Sequence, residues 1–128
     1  MNNETKNSQE ISEDEIKQYE EKCVELAKAV GASKVHCCIQ LRRDDGSFDR
    51  IVTYIKEPNY MTKLALMDKA AMVGPMNAGE EFRLLCLLKE HSNPLAHSEN
   101  EEYDKYKLGV TKFCVEIIEL AQNEFKKK

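Results

Sequence analysis

The sequence predicts an α+β fold that is mostly helical, with one β-hairpin packed against about four helices. Three observations favour this class. Apolar side chains recur at helical spacing between residues 13 and 30, two alternating segments flank an Asp-Gly turn between residues 35 and 56, and further helical patterns follow Pro58. An isolated two-stranded hairpin is only marginally stable in water. The hairpin is therefore expected to pack on helices, to pair with another strand, or to pair with its copy in a dimer.

The first helix is predicted over Glu13–Val30. Ser12-x-x-Glu15 is a capping box, in which two side chains bond backbone N–H groups that the first helical turn leaves free. Gly31 suits the left-handed residue that commonly follows the last helical turn. Both ends of this helix are thus marked by local signals.

The hairpin is predicted over residues 35–56, with Asp45-Gly46 at its turn because these residues tolerate the positive φ of a tight hairpin. Successive side chains on a strand point to opposite faces. Ile51, Thr53 and Ile55 should therefore share one face, and Val52 and Tyr54 the other.

The second and third helices are predicted from caps and breakers. Asn59 caps a helix that runs through Met72, and Gly74-Pro75 ends it. Asn77-x-x-Glu80 resembles the cap of a third helix, which is expected to continue to Lys89.

The fourth helix is predicted to begin at the Ser98-x-x-Glu101 cap, after a loop over residues 90–97, and to reach about Phe125. Gly109 interrupts its apolar stripe, and a glycine there costs roughly 1 kcal/mol against alanine. A close packing contact at Gly109 is therefore expected. This helix should also cover one face of the third helix.

Composition favours a single cytoplasmic domain. Residues 1–10 are polar, lack the apolar segment of a signal peptide and are expected to be disordered, which leaves residues 11–128 as one domain. The net charge is -4, which argues against nucleic acid as a partner. Five cysteines, an odd number, favour reduced thiols, and no segment has the length of a membrane span.

Catalytic and metal-binding motifs are weak in this sequence. His36, His91 and His97 do not have the close spacing of zinc ligands. Cys37 and Cys38 are adjacent but should point to opposite faces of a strand. The chain is therefore expected to be no enzyme and to carry no catalytic residue, metal or cofactor. An enzyme with an unrecognised site remains an alternative, and it would need a pocket around His36, Cys37 and Tyr54 with perturbed pKa values.

Residues 61–88 concentrate the apolar side chains that a partner could contact. Four of the five methionines lie here, and the run Phe82–Leu88 contains a single polar residue, Arg83. Methionine is flexible and is over-used at surfaces that accept varied partners, and so apolar a run must be buried or covered. A helical core and a docking face both stay open. The predicted partner-binding residues are Met61, Met67, Met72, Met76, Leu84 and Leu88.

The order of these segments resembles a known group of proteins. Val52-Thr-Tyr-Ile-Lys-Glu-Pro58 is followed by a Met/Ala-rich helix, by Gly79-Glu-Glu-Phe-Arg-Leu-Leu-Cys-Leu-Leu88, by an acidic loop and by an amphipathic helix that ends in lysines. Over about residues 52–128 this resembles small phage and prophage proteins of the tail-assembly-chaperone type. The resemblance implies a non-enzymatic protein that shields an aggregation-prone protein client before assembly.

Two expectations about assembly stay open beside that one. The chain could instead be a structural ring or connector subunit of a phage particle, which would assemble through the first helix or the hairpin edge. A homodimer through the hairpin or the first helix is also consistent with the sequence, because an exposed strand edge can pair with a copy of itself.

Overall fold

The computed structural model describes the backbone of residues 11–44 and 47–127, and the side chains of residues 11–41 and 50–121. The expected disorder of residues 1–10 and the Asp45-Gly46 turn lie outside the described residues. The helices and strands, in chain order, are α1 (Glu13–Val30), β1 (Val35–Asp44), β2 (Ser47–Lys56), α2 (Tyr60–Met72), α3 (Pro75–Cys86) and α4 (Asp104–Lys127). Three short 3-10 turns lie between α3 and α4, at Lys89–His91, Pro94–His97 and Glu101–Tyr103.

The fold is α+β and mostly helical, as the sequence predicts, and the hairpin is its middle layer. β1 and β2 pair antiparallel, with Asp44 opposite Ser47. One face of the hairpin, with Ile51 and Ile55, packs on α2, α3 and α4. The other face, with Val35 and Tyr54, packs on α1. The predicted division of strand residues between two faces is confirmed, and helices cover both.

The C-terminal signal and one half of the capping box of α1 form as predicted, while the Glu15 carboxylate pairs with Arg50 and accepts from the Tyr19 hydroxyl. The Ser12 hydroxyl accepts a hydrogen bond of 3.1 Å from the backbone N–H of Glu15. Gly31 follows the helix with φ of 70°, in the left-handed region. The predicted bounds of Glu13–Val30 are confirmed, because the signals that set them lie within four residues of each end.

The predicted cap and end of the third helix are wrong. α3 begins at Pro75, whose fixed φ suits the first helical position, so Asn77 lies inside the helix. The helix ends at Cys86 and does not reach Lys89. Leu87 instead forms an isolated bridge to Ile55, and the Leu88 N–H donates to the Tyr54 carbonyl over 2.8 Å. The helix therefore ends where the chain begins to form backbone hydrogen bonds with the outer edge of β2.

The fourth helix begins later than predicted. Ser98 accepts from the N–H of Asn100, and Asn100 in turn accepts from the N–H of Glu102, each over 3.0 Å. These bonds stabilise a bend and a 3-10 turn, so that α4 starts only at Asp104. α4 then covers one face of α3, as predicted.

Gly109 makes the close packing contact that its position predicts. A Cβ built there would lie 1.9 Å from Oε1 of Gln40 on β1, which is far inside van der Waals distance. The Gln40 amide donates to the Tyr106 carbonyl of α4 over 3.0 Å. The glycine therefore lets a strand side chain reach the backbone of the helix.

Candidate functional site

The structure separates the six predicted partner-binding residues into two classes. Met61, Met72 and Leu84 are largely exposed, at 70%, 84% and 63% of their maximum, and Met76 is exposed to a smaller extent. Met67 packs against the main core, and Leu88 packs against the core under α1. The sequence could not separate these classes, because all six residues lie in one continuous apolar segment.

Eight exposed large apolar residues lie at the two ends of the antiparallel pair of helices α2 and α3, and the other exposed ones among the described residues lie on α1 and α4. At the open end, α2 begins and α3 ends, and Leu85 lines a shallow groove together with Asn59 and Thr62. At the other end the chain turns through Gly74. Between the two ends, Lys69 and Glu81 form an ion pair of 2.5 Å. The open-end group contains Tyr60, Met61, Leu64, Leu84 and Leu85, and the turn-end group contains Met72, Val73 and Met76.

Four members of these groups were not among the predicted residues. Tyr60, Leu64, Val73 and Leu85 are exposed although each lies in or beside an apolar pattern. The sequence contains a partial indication of this exposure, because the charged residues Lys63, Asp68 and Lys69 point from several sides of α2 and indicate that much of the helix faces solvent. The missing information was the position of the core, which lies against Leu66 of α2 and Phe82 of α3.

A second candidate surface is an open groove of about 670 Å³ along β1. α1 forms one wall, β1 the floor, and Phe113 of α4 reaches it from the opposite face of the sheet. The lining is mostly apolar and includes Ile16, Cys23 and Val24 from α1 and Cys37 and Ile39 from β1. Such a shape suits an apolar or extended occupant.

Burial holds the Cys37 thiol and the Tyr54 phenol in their neutral forms. His36 and Cys37 both line it, while Tyr54 is buried. Burial, reinforced by the neighbouring thiols, raises the pKa of Cys37 to about 12, and burial likewise raises the pKa of Tyr54 to about 12. Because the thiolate is the nucleophilic form of cysteine, a raised pKa disfavours covalent catalysis by Cys37. The groove thus has the perturbed pKa values that the enzyme alternative requires, but the direction of the Cys37 shift does not favour a nucleophilic thiol.

His36 belongs to a hydrogen-bonded cluster that joins β1 to α2 through Glu57. Its Nε2 lies 2.6 Å from Oε1 of Glu57, and the Lys63 ammonium lies 2.7 Å from Oε2 of the same carboxylate. Burial by itself would raise the pKa of Glu57, but the hydrogen bonds from Lys63 and His36 outweigh it and lower the pKa below the ordinary value of 4.5. Glu57 is therefore stabilised in its charged form.

Acid is expected to weaken the fold through Glu57. Because the pKa of Glu57 is lower in the folded chain, the unfolded chain takes up this proton first as the pH falls. The stabilisation is present above pH 4.5 and is lost as the pH falls through the folded pKa. Urea denaturation at several pH values should show Glu57→Gln less stable than the parent at neutral pH, with the difference shrinking in acid. Glu116→Gln, at an exposed position of α4, is the control and should leave the pH dependence unchanged.

No group of three or more His, Cys, Asp or Glu side chains among the described residues is arranged to hold a metal ion. Within the same part of the chain, none of the helices is both long enough and apolar enough to cross a lipid bilayer. Comparison of the chain with protein-family models, with curated proteins and with solved structures finds no match in any of the three.

Proposed function

We propose that this protein binds another protein and shields an apolar segment of it, as an assembly chaperone or adaptor of the phage type. The observation that carries the proposal is the set of exposed apolar side chains at the two ends of the α2–α3 pair. Eight large apolar residues of this pair are exposed, including Met61, Met72 and Leu84. Single exposed apolar residues are normal on proteins, but clusters of them mark interaction sites.

The chemistry of the two groups suits an apolar client. Met61, Met72 and Met76 carry flexible thioethers, which adapt to partners of different shape. The ion pair between Lys69 and Glu81 separates the groups and provides a polar border. Interfaces commonly combine an apolar centre with a polar rim in this way.

The cellular setting belongs to the same proposal. We place the protein in the cytoplasm, where its five free cysteines would remain reduced. The resemblance to tail-assembly chaperones supplies the class of client, an aggregation-prone structural protein that is held before assembly. No catalytic step is part of this function.

The test is a pull-down from the native host, with the parent chain and the double variant Met61→Asp/Leu84→Asp as bait. Each substitution places a charge in the open-end group, so client affinity should fall about tenfold or more. Circular dichroism and thermal unfolding should show the fold retained, because both side chains are already exposed. The captured client is then purified, and its aggregation is followed by light scattering with and without the parent chain.

Leu120→Asp is the matched control, because Leu120 on α4 is as exposed as Leu84 but lies outside both groups. It should bind the client as the parent chain does. Equal capture by the parent and the double variant would refute the proposed surface. A client that aggregates equally fast with and without the parent chain would refute the shielding role.

A further inference from the structure

The two outer edges of the hairpin differ in how many of their backbone N–H and carbonyl groups form hydrogen bonds. The outer edge of β2 is covered by the segment after α3. The N–H of Leu88 donates to the Tyr54 carbonyl over 2.8 Å, and the N–H of Asn93 donates to the Val52 carbonyl over 2.9 Å. The Ser92 hydroxyl accepts from the N–H of Tyr54 over 2.9 Å. Among the described residues, no comparable backbone hydrogen bond reaches the outer edge of β1.

The register shows which groups β1 presents at that edge. Tyr54 and Val52 direct their carbonyls away from β1, and their cross-strand partners are Cys37 and Ile39. In an antiparallel pair, such residues form the pairs without mutual hydrogen bonds, so both members direct their backbone groups outward. By the period of two, Val35 and Leu41 do the same as Cys37 and Ile39.

The β1 edge has charges near its ends, at Lys34, Arg42 and Arg43, but the stretch from Val35 to Leu41 contains no lysine and no proline. Natural edge strands are commonly protected by lysine, proline, a bulge or a covering segment. Val35, Cys37, Ile39 and Leu41 provide neither an edge charge nor a proline, and the open groove of about 670 Å³ lies beside them. The edge can therefore accept a further strand.

The sequence of β1 is complementary to itself in one antiparallel register. When Ile39 faces its own copy across a two-fold axis, Cys37 falls opposite Leu41 and Cys38 opposite Gln40, so outward-facing residues meet only outward-facing ones. The same register brings Lys34 opposite Asp44, two residues of opposite charge, at both ends of the pairing. A shift of one residue would set outward-facing groups against inward-facing ones and would lose the hydrogen bonds.

We propose that β1 pairs with β1 of a second copy of this chain, in the register centred on Ile39. The product is a two-fold symmetric dimer with a continuous four-stranded antiparallel sheet, and both copies of α1 lie on the same face of it. Residues 1–10 of the same chain are an alternative occupant of the groove. Their sequence is polar and does not match an apolar groove. This dimer uses the edge of β1, whereas the proposed client surface uses side chains of α2 and α3.

The first test is the mass in solution, measured by sedimentation equilibrium over a range of concentrations. The parent chain should approach twice its monomer mass of 14.7 kDa. Ile39→Lys should raise the dissociation constant of the dimer about tenfold or more, because the two introduced ammonium groups would face each other at the two-fold axis. Val73→Lys is the control, because it adds the same charge at an exposed position on the turn between α2 and α3, away from β1.

The second test does not depend on a charged substitution. In Ile39→Cys, the two new thiols would face each other with Cα atoms about 5.5 Å apart, which is within the range of a disulfide. Mild oxidation should therefore produce a covalent dimer. Val73→Cys, an exposed position at the turn between α2 and α3, should not cross-link above the background of the parent chain.

Three results would overturn the proposal. A parent chain that stays monomeric at all concentrations would exclude the dimer and leave the edge to an extended peptide from another protein. A dimer that Ile39→Lys does not weaken more than Val73→Lys would place the interface elsewhere. Oxidation that cross-links Val73→Cys as efficiently as Ile39→Cys would mean that the cross-link reports collision and not the proposed register.

Discussion

Glu80→Ala is expected to lower the free energy of unfolding by about 3 kcal/mol, because it leaves a buried cation without its partner. The Arg83 side chain is almost fully buried between α3 and α4. Its Nε and Nη2 donate to the two carboxylate oxygens of Glu80 over 2.8 and 2.5 Å. The Thr111 hydroxyl of α4 donates to the same carboxylate over 2.9 Å. Glu80 itself is partly exposed, so water limits the loss to the lower end of the range for buried pairs. Urea denaturation at neutral pH measures it.

A double variant separates the charge from the packing. Removing both charges in Glu80→Ala/Arg83→Met should recover most of the lost stability, since methionine fills similar space without needing a partner. Glu81→Ala is the control on the same helix. Its ion pair with Lys69 is partly exposed on both sides, so its loss should cost less than about 1 kcal/mol. A loss for Glu80→Ala as small as that of Glu81→Ala would contradict the role assigned to the buried arginine.

Gly79→Ala is expected to destabilise the protein by about 2 kcal/mol, although alanine is the better helix former by about 1 kcal/mol. Gly79 lies where α3 crosses α4. An added Cβ would meet the Thr111 carbonyl oxygen at 2.7 Å and Cγ2 of Val115 at 2.5 Å. The carbonyl belongs to the helix backbone and cannot rotate away, so the two helices would have to separate. Thermal and urea unfolding of the variant measure the effect.

Gly109→Ala is the matched control for Gly79→Ala, since both glycines lie in helices at close contacts. The atoms nearest to an added Cβ at Gly109 belong to the flexible end of Gln40. That side chain can move, at the cost of its hydrogen bond to Tyr106, which is offset by the helix propensity of alanine. The net change should stay within about 1 kcal/mol. Equal losses for the two variants would show that the backbone contact at Gly79 is not the decisive one.

The candidate site shows what an apolar sequence pattern can and cannot determine. Helical spacing and methionine content direct attention to residues 61–88, and four of the six named residues are indeed exposed. Met67 and Leu88 are not, because each meets apolar residues from elements far away in the chain. An apolar pattern indicates that burial of a residue would be favourable. Whether the residue is buried depends on the neighbours that pack against it in the folded chain.

The sequence by itself determined the α+β class, the bounds of α1, the cap of α2 at Asn59 and the two faces of the hairpin. Each of these depends on groups within a few residues of one another, or on the period of a strand. The tertiary structure alone decided that α3 ends at Cys86 and that Gly79 lies at a helix crossing. It also decided which strand edge is covered, because the segment after α3 satisfies β2 and leaves β1 open. Those outcomes depend on hydrogen bonds and contacts between distant segments, which form only when the layers pack together.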